Sequence, residues 1–349
     1  MADAGLQKLQ LRLVLSLPSP ILRALSGGGV VYRGGRTLDP RLQFLASRSQ
    51  GLPPMSSLTP EQARGGAEAM VAVMGGKLEA GVKVEPVTVP GAEDSLPARV
   101  YRPDRQDPET PLMVFAHFGG GVIGDLDTCE AFCSILASLW RGPVLSVAYR
   151  LAPEYRFPDG LEDMMAAYRW ALGAAPQFGA PEGKAAVGGD SMGGNFAAVI
   201  CQEMKRRGET QPALQLLIYP ALDVAGDTES MTTYADTWPL TRDTMEWFMA
   251  NYMGPEDSPL DPRLSPVKAA DVSGLAPAVI AAAGFDPLLD QGEIYARRLG
   301  EAGVPVRYKR YDALAHAFTA MTGVVPAADA ACREIATLAR EALAGSTPA

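Results

Sequence analysis

The chain has 349 residues, 47% of them hydrophobic and 20% charged, and carries a formal net charge of −9 at pH 7. That much apolar material supports a sizeable core and argues against global disorder. The negative charge, with no clustered run of Lys and Arg, argues against phosphate backbones and anionic membrane surfaces as partners, so no nucleic-acid role is expected.

In chain order, the first feature is the apolar stretch 9–17, interrupted by Arg12 and closed by Pro18 and Pro20. It is too short and broken for a membrane span, and predicts a docked amphipathic helix in preference to a signal peptide. Residues 1–81 read as helices and loops ahead of any sheet. From residue 82, strand-like runs alternate with helical ones, the pattern of a mostly parallel sheet covered on both faces. The runs 82–89 and 98–101, separated by the turn formers Pro90, Gly91, Asp94 and Pro97, predict an antiparallel edge pair. Further strands are expected at 112–117, 144–149, 185–189, 214–219, 278–283 and 306–311, eight in all. A helix opens at Asp159, with Glu162 at capping-box spacing. Residues 223–275, rich in Trp, Met and Pro, interrupt the rhythm between two strands. The expected organisation is therefore an α/β domain over 82–349, with 1–81 as a helical cap segment and 223–275 as a cap-forming insertion, placed where α/β sheets bind ligands.

Cys129 and Cys133 lie four apart on one predicted helix, and Cys201 and Cys332 are isolated. None has zinc-ligand or disulfide-framework spacing, which fits a reduced compartment and a cytoplasmic location.

The strongest motif is Gly189-Asp190-Ser191-Met192-Gly193, after an apolar run and ahead of the helical 195–204. This is the strand, turn, helix setting of a nucleophile elbow: a serine at the tip of a tight turn, with glycines leaving room on either side. A serine hydroxyl needs a base within hydrogen-bond reach, normally histidine. The chain has two histidines, His117 and His316. His316 follows the last predicted strand and comes after both Ser191 and Asp286, in the Ser, Asp, His order of this fold. Asp286, at a strand end before Pro287, is suited to fix the imidazole tautomer. The run His117-Phe118-Gly119-Gly120-Gly121 supplies backbone N–H groups for an oxyanion, and Gly119, Gly120 and Met192 are the expected donors. His117 is read as ordering this loop. The ionisable groups between Tyr149 and Glu154, together with Asp190 and Asp290, are read as structural. Trp238, Trp247, Phe248 and Met249 are read as ordinary packing in preference to an acyl pocket.

At these residues the sequence resembles the hormone-sensitive lipase family of bacterial esterases, in its Gly-Asp-Ser-x-Gly branch. The likeness covers most of the chain from about residue 85. It rests on residues 117–127, on Tyr149-Arg150-Leu151-Ala152-Pro153-Glu154 with Phe157-Pro158, on the elbow, on Asp286-Pro287-Leu288 and on His316-Ala317-Phe318. The resemblance implies an α/β-hydrolase core, a helical cap built partly from the N-terminus, no metal or organic cofactor, and a preference for short to medium acyl chains. It departs from the family in one place: Phe118 stands where the motif His-Gly-Gly-Gly has its first glycine, and Gly121 where the following aromatic residue falls. Phe118 is therefore expected to wall the substrate pocket or pack against the cap.

The expected function is hydrolysis of a small-molecule carboxylic ester through an acyl-enzyme. The same machinery could serve amides, carbamates or lactones, or be a lyase or a non-catalytic receptor on this fold, although His316 argues against a receptor. Composition and motifs leave the oligomeric state open, a homodimer among the options.

Overall fold

A computed structural model describes residues 2–345. Ahead of the main sheet come α1 (Ala2–Leu15), α2 (Ser19–Leu25), the short strands β1 (Tyr32–Arg33) and β2 (Arg36–Thr37), α3 (Pro40–Ser49) and α4 (Pro60–Met74). The β1–β2 hairpin is absent from the sequence-based expectation because two-residue strands are too short to show alternation. Its turn, Gly34-Gly35, has both residues at positive φ, which glycine supplies without strain. Helix α1 lies against α4, buries Leu15 and leaves Leu6, Leu9 and Leu13 exposed.

The main sheet has eight strands: β3 (Val82–Pro90), β4 (Ser95–Pro103), β5 (Leu112–Ala116), β6 (Val144–Val147), β7 (Ala185–Asp190), β8 (Gln215–Ile218), β9 (Ala278–Phe285) and β10 (Val306–Ala315). Their order is β10-β9-β8-β7-β5-β6-β4-β3. Only the β3–β4 and β4–β6 pairs are antiparallel. Pro86 and Pro90 are tolerated in β3 because it is an edge strand, where a missing N–H breaks no interior ladder. Strands β5 to β9 are buried at every position, as continuous apolar runs in a sheet covered on both sides must be. Successive residues feed opposite layers. Leu112, Val114 and Ala116 enter the core under α6 (Asp159–Ala174) and α7 (Met192–Arg207), while Met113 and Phe115 enter the core under α5 (Glu130–Trp140) and α11 (Pro326–Gly345).

Two local expectations change. Asp159 is the first helical residue of α6 and not its cap: the Pro158 carbonyl takes the N-cap place, accepting from Glu162 N–H at 2.9 Å. Asp159 and Glu162 thus both lie in the first turn, where carboxylates favour the helix dipole, and no capping box forms. A capping box is present instead at α4, between Thr59 and Gln62. Strand β10 also runs beyond the predicted 311, through a register shift between Tyr311 and Ala315, so that it ends directly at His316.

The segment 223–275 contains α8 (Glu229–Thr233) and α9 (Arg242–Tyr252) and connects β8 to β9. Helix α10 (Leu289–Glu301) follows β9.

Candidate active site

Ser191 sits between β7 and α7 with φ 56° and ψ −116°, a conformation that costs a non-glycine residue roughly 1–3 kcal/mol and persists only where the surroundings impose it. Its neighbours impose it by leaving no alternative space. A Cβ on Gly189 would run into the backbone of Gly193, and one on Gly193 into the Ala116 carbonyl. Ser191 N–H donates to the Ile218 carbonyl at 2.9 Å, pinning the turn to β8.

The three residues that sequence order selects come together. His316 Nε2 lies 2.9 Å from Ser191 Oγ, and its Nδ1 lies 2.7 Å from Asp286 Oδ2. All three are buried. With Nδ1 protonated towards the carboxylate, Nε2 is left to accept from the serine hydroxyl. The other Asp286 oxygen accepts from Leu288 N–H at 2.9 Å, so the carboxylate is held at the C-terminal end of β9. On the far side of His316 stands Tyr219, ring centroids 4.7 Å apart, with Phe318 edge-on to it.

Gly119, Gly120 and Gly121 have φ of 127°, 62° and 75°, all in the region glycine favours. Space requires them too. A Cβ on Gly119 would strike the Ile123 carbonyl, one on Gly120 the Phe248 ring, and one on Gly121 would lie 2.7 Å from the Tyr252 ring. The aromatic residue that the related motif carries at 121 is thus displaced by one from α9. Among the described residues, the N–H groups of Gly119, Gly120 and Met192 donate to no other protein group, which leaves them free for a ligand. Gly120, Ser191 and Met192 line one cavity, and Gly119, Gly120 and Ser191 another.

His117 lies apart from this row. It is buried, stacks on Tyr149 with centroids 4.4 Å apart, and donates from Nδ1 to the Phe118 carbonyl at 2.7 Å, while the Tyr149 hydroxyl donates to the His117 carbonyl at 2.8 Å. Burial pushes its pKa down to about 4, against the pull of that Phe118 carbonyl, so it is neutral near pH 7. Phe118 is buried and lines the cavity beside His316.

The ionisable groups set aside in the sequence have structural partners. Arg150 forks onto Asp163 with Nε and Nη2 contacts of 2.9 and 3.0 Å, Glu154 pairs with Arg64, and Asp290 accepts from Ser230 N–H. Asp190 is fully buried directly before the serine and accepts from Thr319 at 2.7 Å, Tyr219 at 2.8 Å and the Cys129 thiol. Burial raises its pKa, against the pull of those donors.

Several residues at the site carry no local signal in the sequence. Arg64, on α4, donates from Nε to the Val122 carbonyl at 2.9 Å and from Nη2 to the Ala152 carbonyl at 2.8 Å, and it also pairs with Glu154. It fastens the N-terminal segment to the glycine loop across more than fifty positions of chain. Trp238, Phe248 and Met249, read as packing, line the two cavities beside Ser191; Trp247 lines neither and packs against Phe248. Helical spacing alone does not separate a residue that faces a cavity from one that faces a core.

A family model described as the alpha/beta hydrolase fold matches residues 113–320. The carboxylic ester hydrolase LipN of Mycobacterium tuberculosis is 42% identical over 86% of this chain and 82% of its own length. The ethyl acetate hydrolase of Pseudomonas putida is 35% identical over 81% of this chain and 91% of its own. Among solved structures, the ester-hydrolase EH1AB1 from the metagenome of Lake Arreo superposes with a TM-score of 0.82 at 36% identity, covering 86% of this chain and 96% of that one. The hyperthermophilic esterase of Pyrobaculum calidifontis gives 0.80 at 35% identity, covering 87% and 98%. With the elbow, the glycine loop and the eight-stranded sheet in the same chain, these matches show that the protein belongs to the α/β-hydrolase family, in its hormone-sensitive-lipase-like group.

Proposed function

We propose that this carboxylesterase works through an acyl-enzyme on Ser191, with His316 as the base and Asp286 as the carboxylate behind it. The observation that carries this reading is the continuous hydrogen-bonded row, 2.9 Å from serine to imidazole and 2.7 Å from imidazole to carboxylate. Ser191 Oγ attacks the ester carbonyl while its proton passes to His316 Nε2. The carbonyl oxygen becomes an oxyanion received by the N–H groups of Gly119, Gly120 and Met192, donors without a protein acceptor on residues that line the cavities at Ser191. The C–O bond to the alcohol breaks, and the imidazolium gives its proton to that oxygen. Water repeats the sequence on the acyl-enzyme and frees the acid. Asp286 keeps its charge throughout and stabilises the imidazolium.

On the same footing, residues 1–81 and the insertion 223–275 act as a cap over the catalytic domain 82–349, supported by the residues of α3, α4 and α9 that line the cavity over Ser191. The four cysteines, all free and buried, are consistent with a cytoplasmic setting. Among the described residues no helix is long and apolar enough to cross a membrane.

Hydrolysis of p-nitrophenyl butyrate by Ser191→Ala tests the mechanism. A loss of about 10⁴-fold or more in kcat is expected, since members of such a row act as a unit. Parent-level turnover in the variant overturns the assignment of the nucleophile.

A further inference from the structure

Apolar surface left bare is concentrated at one end of the chain. Of the eleven large hydrophobic residues exposed among the described residues, nine lie between Leu6 and Leu78, which is not the single scatter a monomer's surface normally carries. Helix α1 shows the pattern best. At about 100° per residue, Leu6, Leu9 and Leu13 fall within about 60° of arc, and they are 55%, 56% and 62% exposed. Leu11, Val14 and Leu15 lie on the opposite side and pack into the core. An amphipathic surface helix has one apolar stripe; α1 has two, one covered and one bare. Across residues 16–18, α2 leaves Ile21 and Leu25, one turn apart, exposed as well.

The same segment is basic. The charge of −9, which argues against an anionic surface as partner when averaged over the whole chain, is unevenly spread: residues 1–49 hold seven Lys and Arg against two Asp, +5 in all, and the remainder carries −14. Lys8 donates to the Gly75 carbonyl, and burial, then the nearby charges of Arg12 and Lys77, hold its pKa below the ordinary lysine value. Arg12 and Lys77 also line a cavity of about 610 Å³ beside α1, in which both carboxylates, Glu79 and Asp329, are paired with Arg333. Among the described residues no carboxylate pairs with Lys8, Arg12 or Lys77.

We propose that α1 anchors the protein peripherally on a membrane rich in anionic phospholipid, laying Leu6, Leu9 and Leu13 among headgroups and acyl chains while Arg12 and Lys77 meet the phosphates. Half-exposed leucines gain by leaving water, and cations gain from the negative surface potential, so the two contributions add at one place. That potential falls off within roughly 8 Å at physiological salt, so carboxylates on the far side of the protein do not cancel it. A second copy of this chain is the other candidate for a bare apolar face, and charge disfavours it. A twofold contact would set α1 against α1 and bring Lys8, Arg12 and Lys77 towards their own copies. Such an anchor fixes where the protein sits and leaves the roles of Ser191 and His316 untouched.

Co-sedimentation of the full chain with extruded vesicles tests the anchor. The protein is expected to partition at least about tenfold more strongly onto phosphatidylcholine mixed with phosphatidylglycerol than onto phosphatidylcholine alone, and less strongly as salt is raised. Leu9→Gln with Leu13→Gln, which keeps a good helix former at both positions, should weaken partition onto the mixed vesicles at least about 30-fold, while the thermal midpoint stays that of the parent. Arg12→Gln with Lys77→Gln should weaken it about 25-fold, at roughly fivefold per cation, and leave partition onto phosphatidylcholine unchanged. Partition that is equal on both vesicles, absent from both, or unaltered by the leucine pair overturns the proposal. Should the leucine pair lower the midpoint, the cation pair decides, and parent-level partition by it overturns the proposal. Absent partition together with a dimer that the leucine pair dissociates, read by analytical ultracentrifugation, overturns it in favour of a second copy on this face.

Discussion

Acidification should unfold this protein partly through His117, a histidine outside the hydrogen-bonded row at Ser191. In the folded chain its pKa is about 4 against an ordinary 6.5, because charging it means burying a cation beneath the glycine loop. A histidine whose folded pKa is depressed binds fewer protons folded than unfolded, so it lends full stability above 6.5 and loses it as pH falls through the window from 6.5 to 4. The difference of two and a half pH units corresponds to about 3 kcal/mol in total, of which about 2 kcal/mol is already lost at pH 5. Replacing the ring by a neutral amide removes this source of pH dependence. Urea-unfolding free energies of the parent and His117→Asn at pH 7.5 and pH 5 measure it, and the parent's loss between the two should exceed the variant's by about 2 kcal/mol. Equal losses would show that His117 is not held neutral by burial, and the account of the loop as a structure ordered by an uncharged imidazole would fail.

Gly120→Ala places a methyl group against the Phe248 ring at a residue whose φ is 62°, so the loop must shift. A displacement of the N–H donors by an ångström is expected to cost about 10²-fold in kcat on p-nitrophenyl butyrate with little change in thermal midpoint. Phe118→Gly opens the cavity that holds Ser191 and His316 and should alter the chain-length profile of hydrolysis, which a series of p-nitrophenyl esters of increasing acyl length measures. Arg64→Ala removes the contacts that join α4 to the Val122 and Ala152 carbonyls, and should speed limited proteolysis within residues 1–74 and lower kcat/KM roughly tenfold, the worth of one charge-assisted hydrogen bond.

What could be read from residues one after another concerns demands that a short segment makes on itself. The strands β5 to β9 are legible because a parallel sheet covered on both faces requires unbroken apolar runs. The turn at Ser191 is legible because its backbone crowds out any side chain at Gly189 and Gly193. His316 was findable by scarcity, being one of two histidines and the one placed after the last strand. Boundaries were less so: the Asp159 cap failed by one residue because the Pro158 carbonyl took its place, and the β1–β2 hairpin was too short to carry a period.

Tertiary structure alone decided what surrounds the serine. That Tyr252 fills the space beside Gly121, that Arg64 crosses from α4 to the glycine loop, and that Phe248 and Leu240 border both cavities at Ser191 are matters of which distant surfaces meet. Such meetings are set by the summed packing of many residues on several elements, each contributing little and none marked locally. Periodicity can show that a helix has an apolar face, but an apolar face packed on a core and one lining a pocket are the same pattern until the fold supplies, or withholds, the neighbour.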